Sequence, residues 1–334
     1  MRITRLDHAD DDGIRACHDV HVAAQAVDDP VEPPFSLAVF RHWLMQGWNR
    51  NPCEVWIAAD EATRETVGYC RLELPDLENR DRAYADPVVR PALRRRGLGG
   101  TLLGHILERA RANGRSVLLG EPIKDSAGDA FARQAGAKAE LAEARRVLDL
   151  RKVPRDLFAR VRADAAGKAA GYTVVSWTGP TPEEYLSLVA AAFNAMNDAP
   201  HDAGREDNVW DAERVRERSG VFLREGLMRG YSVAAIADSD GEMAGLTQVF
   251  IDPETPEWGF QGITAVTRQH RGHRLGLLTK AAMLEWLATA EPELERIATG
   301  NAASNSYMIS VNETLGYELA GPGWQGYLLA VSPG

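Results

Sequence analysis

The chain has 334 residues, more than one ordinary core accommodates, so about two domains are expected. With 45% hydrophobic and 26% charged residues it has a globular composition, and it contains no apolar run long enough to span a bilayer. The net charge of −10 excludes nucleic acid as an expected partner and leaves an acidic surface that is either merely solvated or suited to a cationic small molecule.

Residues 1–6 alternate like a strand, and Asp10 to Asp12 cap a helix running to Val27. Ser36 caps a second helix over 37–46, and strands follow at 54–59, 66–74 and 82–89. A turn, Arg94-Arg95-Arg96-Gly97-Leu98-Gly99-Gly100, then opens a helix over 101–112. A buried strand (116–120), a helix (126–134) and a strand (137–149) complete a first half, 1–150. Residues 151–171 are rich in Arg, Lys, Ala and Asp and predict an exposed linker helix over 154–169.

The order then restarts and fills 172–334. A strand (172–177) precedes a helix over 182–195 capped by Thr181, a polar loop (196–209) and a helix over 211–228. Strands are expected at 232–238, 243–251 and 258–267, the last running into Arg271-Gly272-His273-Arg274-Leu275-Gly276 and a helix. A strand (296–300), a helix (304–315) and a closing strand (317–331) end the chain. Arg94 and Arg271, Gly99 and Gly276, and Gly68 and Gly245 are each 177 positions apart, and Ala59-Asp60 and Ala237-Asp238 are 178 apart. An offset this constant indicates an internal duplication.

A strand, a basic glycine-bearing turn and a helix start in succession form an anion site. The first-turn N–H groups are unpaired, the helix dipole is positive there, and glycine admits a close ligand approach. A pyrophosphate is the expected ligand. Cys17, Cys53 and Cys70 have no metal spacing and read as reduced, partly buried thiols. The start, MRITRLDHADDD, has no apolar core of a leader, so a cytoplasmic protein is expected.

The spacing Arg-x-x-Gly-x-Gly after a strand ending in Val resembles motif A of the GNAT superfamily of N-acetyltransferases. It stands as Val89, Arg94, Gly97 and Gly99 in the first half; in the second, Val266, Arg271 and Gly276 match while Arg274 replaces a glycine. Asn305, Gly316 and Tyr317 fit a further family pattern, of which Asp125 and Gly136 keep two positions in the first half. The resemblance covers nearly the whole chain twice and is closest to the tandem-GNAT architecture of mycothiol synthase. It implies an α/β fold in which each half has a mixed, mostly antiparallel central sheet flanked by helices.

The resemblance also implies acetyl-CoA as cofactor, held by Val88, Val89, Arg94, Arg95, Arg96, Gly97, Leu98, Gly99 and Gly100 in one half. In the other half the corresponding set is Ala265, Val266, Arg271, Gly272, His273, Arg274, Leu275, Gly276 and Asn305. The family's usual Tyr acid is absent, since Ala132 and Asn312 occupy those positions. Glu257 is the candidate base, with Asn312 as a hydrogen-bond donor to sulfur; Asn197, Asp198 and Gln248 are candidate acceptor contacts. A surface carboxylate, a plain Asn-Asp loop and a buried structural amide are the competing readings of Glu257, of Asn197 with Asp198, and of Gln248.

The expected activity is transfer of an acetyl group from acetyl-CoA to a primary amine of a small, cationic metabolite, with chemistry assigned to the second half. A non-catalytic acyl-CoA sensor or scaffold and an aminoacyl transferase are the alternatives. No metal, nucleic acid or membrane partner is expected, and the chain is expected to be a monomer or homodimer.

Overall fold

The computed structural model describes residues 1–154, 156–201 and 204–332. In chain order its elements begin β1 (Arg2–Arg5), α1 (Asp11–Asp28), α2 (Leu37–Gln46), β2 (Cys53–Ala59), β3 (Thr66–Glu73) and β4 (Arg82–Val89). There follow α3 (Leu98–Ala112), β5 (Val117–Gly120), α4 (Ala127–Gln134), β6 (Lys138–Asp149), α5 (Leu157–Ala166) and β7 (Tyr172–Thr178). Next come α6 (Leu186–Asn194), α7 (Ala212–Arg218), α8 (Val221–Arg224), β8 (Arg229–Ala237), β9 (Met243–Ile251) and β10 (Trp258–Val266). The chain ends with α9 (Leu275–Ala290), β11 (Arg296–Ala302), α10 (Ser306–Thr314), β12 (Glu318–Leu319) and β13 (Trp324–Ala330).

The molecule divides into two compact units. Unit 1 is Met1–Glu143, Asp202–Glu206 and Gly321–Gly334; unit 2 is Ala144–His201 and Asp207–Ala320. Unit 1 orders its strands β1-β2-β3-β4-β5-β13-β6, and unit 2 runs β6-β11-β10-β9-β8-β7, the last residues of β6 belonging to it. β1-β2-β3-β4, β5-β13-β6 and β10-β9-β8-β7 pair antiparallel, and β4 with β5 and β10 with β11 pair parallel. These parallel pairings are short: Arg82–Tyr84 against β5, and Trp258–Phe260 against β11. Beyond them the strands part, and the rest of β4 and of β10 has one open edge.

The caps explain why the helices start where they do. Asp10 accepts from Gly13 N–H and Ser36 from Val39 N–H, so α1 and α2 begin as the sequence indicates. The helix expected over 211–228 is interrupted: α7 ends at Arg218, Gly220 takes φ +60°, and α8 restarts. The single closing strand expected over 317–331 is two strands. Gly321 and Gly323 turn the chain at φ +68° and +65°. β12 pairs with Val147 and Arg146 in unit 2, whereas β13 pairs in unit 1 with β5, Tyr327 opposite Gly120.

The helices after the two basic turns are buried differently. α3 buries one stripe, Leu102, Ile106 and Ala110, and leaves its first turn open. α9 is buried from Leu275 through Leu284, the pattern of a helix covered on all sides. Part of that cover is α5, whose Phe158 and Ala165 join the core that contains Leu277, Leu278 and Ala281. The expected exposed linker helix is therefore a packed element of unit 2. Among the described residues no helix is long and apolar enough to cross a membrane.

Candidate active site

In unit 1 the turn is built from β4 outward. Arg94 ties it to the rest of the unit: its Nε donates to Val89 O at 3.1 Å, and its two terminal nitrogens hold Asp28 bidentately at 2.7 and 2.5 Å. Arg95 and Gly97 both take left-handed backbone, φ +62° and +84°, which folds successive N–H groups toward one side before α3 begins. Arg95, Arg96, Gly97 and Gly100 are exposed, and a Cβ at Gly97 or Gly100 would meet no atom within 4 Å. Among the described residues the side chains of Arg95 and Arg96 have no partner. Two uncommitted cations therefore flank an open helix start.

Unit 2 repeats the backbone and changes the charges. Left-handed residues recur 177 positions on, as Gly272 (φ +90°) and Arg274 (φ +57°). The glycine has moved within the turn, so Arg274 keeps the conformation that Gly97 has in unit 1. Arg271 donates to Val266 O at 3.3 Å and to Asp198 at 2.6 Å, the arrangement Arg94 makes with Val89 and Asp28. Arg268 also holds Asp198, at 3.1 Å, and Arg274 pairs with Asp164 of α5. Each arginine of this turn is paired with a carboxylate, and Leu275, Gly276 and Leu277 of the first helical turn are buried.

The faces that would receive an acceptor also differ. In unit 1, Arg71 of β3 is 2% exposed and lies against Glu73 at 2.6 Å and Asp86 of β4 at 3.6 Å, its guanidinium 5.1 Å from the Trp43 ring. Gly47 takes left-handed backbone, φ +64°, and a Cβ there would sit 2.5 Å from Arg71 Nη2. Phe35 and Trp48, both half-buried, pack edge to face at 5.5 Å. Two carboxylates thus lie against one cation. Burial raises the Asp86 pKa above the usual carboxylate range, with Arg71 opposing the shift.

In unit 2 no Asp or Glu lies on β8, β9 or β10. Gln248 is buried and donates to Ser232 Oγ at 3.1 Å, a structural amide. Asn197 exchanges hydrogen bonds with the backbone of Asn208, 2.8 and 3.1 Å, and fastens a loop. Asp198 is occupied by two guanidinium groups. Glu257 precedes β10 at the end away from the turn, where its carbonyl accepts from Glu295 and Arg296 N–H, both 3.0 Å. At ~3.3 Å per residue it is roughly 13 Å of strand short of Gln261, where β10 leaves β11. Glu257 thus lies at the end of β10 that pairs with β11, away from the basic turn.

A family model described as the acetyltransferase (GNAT) family matches residues 16–136. Over its whole length the chain is similar to a solved tandem GNAT protein from the clavulanic acid biosynthesis pathway, a structure without AcCoA. The two share 29% identity and a TM-score of 0.80, with 100% of this chain and 99% of that one covered. Residues 16–136 thus match a GNAT acetyltransferase domain, and the whole chain is similar to a tandem GNAT protein. The GCN5-related N-acetyltransferase from Sphaerobacter thermophilus shares the fold at 17% identity and TM-score 0.64, covering 100% of this chain and 96% of that one. A putative acetyltransferase from Pyrococcus horikoshii does so at 14% and 0.53, covering 98% and 89%. No curated protein matches.

The two Asn side chains expected at the sulfur and at the cofactor are both committed within unit 2. Asn312 is fully buried and donates to Asn301 Oδ1 at 2.7 Å, so it is part of the unit 2 core. Asn305 accepts from Met308 N–H as the cap of α10. A residue with no counterpart among the sequence expectations lies beneath: Lys280 of α9, 2% exposed, donates to Gln261 Oε1 at 2.9 Å and sits 4.7 Å from the Tyr317 ring. Burial without a carboxylate partner lowers its pKa to about 7. Its counterpart 177 positions earlier is Leu103. Among the described residues, Asp240, Glu242 and His270 bring metal-ligand atoms within 4.8 Å of one another beside the unit 2 turn. Two of them are exposed acids, and His270 is fixed by Tyr172 OH at 3.0 Å.

Sequence reasoning missed Asp86, Glu73 and Arg71. The signal was present: Asp86 interrupts an otherwise uncharged strand end, ADPVV, with its side chain on the same face as Tyr84 and Val88.

Proposed function

We propose that unit 1 binds acetyl-CoA and transfers its acetyl group to a primary amine of a small cationic molecule. The observation that carries this reading is the coincidence, in one unit, of an anion-receptive turn with a carboxylate on the strand that leaves the turn. The N–H groups at the start of α3, with Arg95 and Arg96, take the pyrophosphate. The pantetheine arm lies along the open edge of β4, where the strand has parted from β5.

Arg90 N–H bonds to Val67 O of β3, so by alternation Val88 and Asp86 also direct N–H toward β3. Pro87 falls on the open edge, where its missing N–H costs the ladder nothing. Ala85 and Val89 share that edge, and one of their N–H groups polarises the thioester carbonyl. Acetyl-CoA brings the activated thioester, and the remaining steps belong to this chain.

The incoming ammonium is drawn to the two carboxylates, Glu73 and Asp86, around Arg71. Asp86 takes a proton from it, and the free amine attacks the carbonyl carbon. The thiolate then leaves with the C–S bonding pair and without an acid, and the second ammonium proton passes from the new amide nitrogen to solvent; low basicity allows this, since a thiol near pKa 8.5 is a far better leaving group than an amine. A raised carboxylate pKa makes Asp86 a stronger base.

The test is amine-dependent thiol release from acetyl-CoA over a panel of primary amines. Release with at least one cationic amine is expected. Saturable CoA binding with no release on any amine would instead favour the non-catalytic sensor.

A further inference from the structure

We infer that the turn of unit 2 is an anion site already filled by carboxylates of its own chain, Asp198 on Arg268 and Arg271 and Asp164 on Arg274. The protein therefore takes one acyl-CoA rather than two. This rests on the reading that the unit 1 turn holds the CoA pyrophosphate, and extends it to the second copy.

Three observations on unit 2 converge. The backbone concavity is intact, because left-handed residues occupy the same two positions of the turn, Gly272 and Arg274 against Arg95 and Gly97. The cations are spent: Arg271–Asp198 lies at 2.6 Å, Arg268–Asp198 at 3.1 Å, and Arg274 is paired with Asp164. The helix start is covered, since Leu275 is 1% and Leu277 9% exposed and lie in one core with Ala165 and Ala169.

A pyrophosphate entering there would have to displace two carboxylates and then meet them as like charges at short range. Unit 1 presents the opposite balance, one carboxylate, Asp28, on one arginine, Arg94, with two arginines left over. Asp164 lies on α5, a helix with no counterpart in unit 1, so this occupant is specific to the second copy. The absence of any carboxylate on β8 to β10 fits the same division: the second unit lacks both a receptive turn and a base.

The decisive experiment is calorimetric titration of the full chain with CoA. One site per chain is expected. Two sites in the unaltered protein would overturn this inference while leaving the proposed function standing; no binding at all would overturn the proposed function itself. The double variant Asp164→Asn with Asp198→Asn should gain a second site, and a stoichiometry still of one in the folded double variant would contradict occupancy by these carboxylates. Should that variant fail to fold, the exposed arginines give the same answer. Arg268→Ala with Arg271→Ala should leave the CoA dissociation constant within about two-fold, and a ten-fold weakening would overturn the inference.

Discussion

The two basic turns of this chain share a backbone and differ in what surrounds their arginines. In unit 1 one arginine is a structural clamp and two are free; in unit 2 all three are clamps. The clamp itself is duplicated: Arg94 with Val89 O and Asp28, Arg271 with Val266 O and Asp198. The first arginine of the motif therefore pins the strand end to the end of α1 in unit 1 and to the turn just after α6 in unit 2. On the proposed reading phosphate binding falls to the residues after it, which among the described residues only unit 1 leaves uncommitted. An anion motif is thus completed or cancelled by carboxylates far away in sequence.

The largest effect that would sharpen this contrast is loss of the base. Asp86→Asn should lower kcat by roughly 10²–10⁴ while leaving CoA affinity unchanged, as read by thiol release and calorimetry on the same preparation. A variant that keeps full turnover would move the base elsewhere.

Next come the free arginines. Arg95→Ala and Arg96→Ala should each weaken CoA binding by about ten-fold or more, since a charge-assisted phosphate contact is worth roughly 1.5–3 kcal/mol. The loss should shrink in high salt, because part of it is exposed-charge attraction.

A smaller effect concerns charge state. Asp86 must be deprotonated to act, so activity falls as pH drops through its raised pKa. Arg71 opposes that rise, and a cation this close lowers a carboxyl pKa by about 1–3 units. Arg71→Gln should therefore move the acidic limb of the pH–kcat profile upward. Arg71→Lys should restore part of the shift, which a purely structural role for Arg71 would not produce.

The smallest effect separates the cores. Lys280 has a folded pKa of about 7 against 10.5 unpaired, so between those values the unfolded chain binds more protons than the folded one. Stability should rise with pH across that window. Lys280→Met should raise Tm most at pH 6 and flatten the rise, by roughly 2–4 °C for each kcal/mol recovered. A Tm unchanged at pH 6 would mean the ammonium is better satisfied than its single bond to Gln261 indicates.

Much of the fold was legible because its signals are local. The caps at Asp10 and Ser36, the glycine-bearing turns and the 177-residue offset are patterns within a few positions or between identical patterns. Arg274 looked like a defect because the sequence does not show that Gly272 takes the other left-handed position; the pair must be read together. The partners of the turn could not be read locally: Asp198 and Asp164 lie 73 and 110 residues from the arginines they hold. Strand partners chosen at long range were hidden too, so the last strand was assigned to the second half although β13 pairs with β5. Glu257 adjoins β10 at the end that pairs with β11, a placement that only the register of β10 against β11 supplies. Asp86 was overlooked for a converse reason, as one acidic residue in a strand whose face could not be assigned before β3 was placed beside it.

The division of labour is tested most directly by a crystal structure of the full chain grown with acetyl-CoA. The pyrophosphate should lie on the N–H groups that open α3, between Arg95 and Arg96, with the acetyl group beside Asp86 and the Arg268–Asp198–Arg271 cluster unchanged. Acetyl-CoA bound at Arg271 to Gly276, with Asp198 displaced, would contradict it.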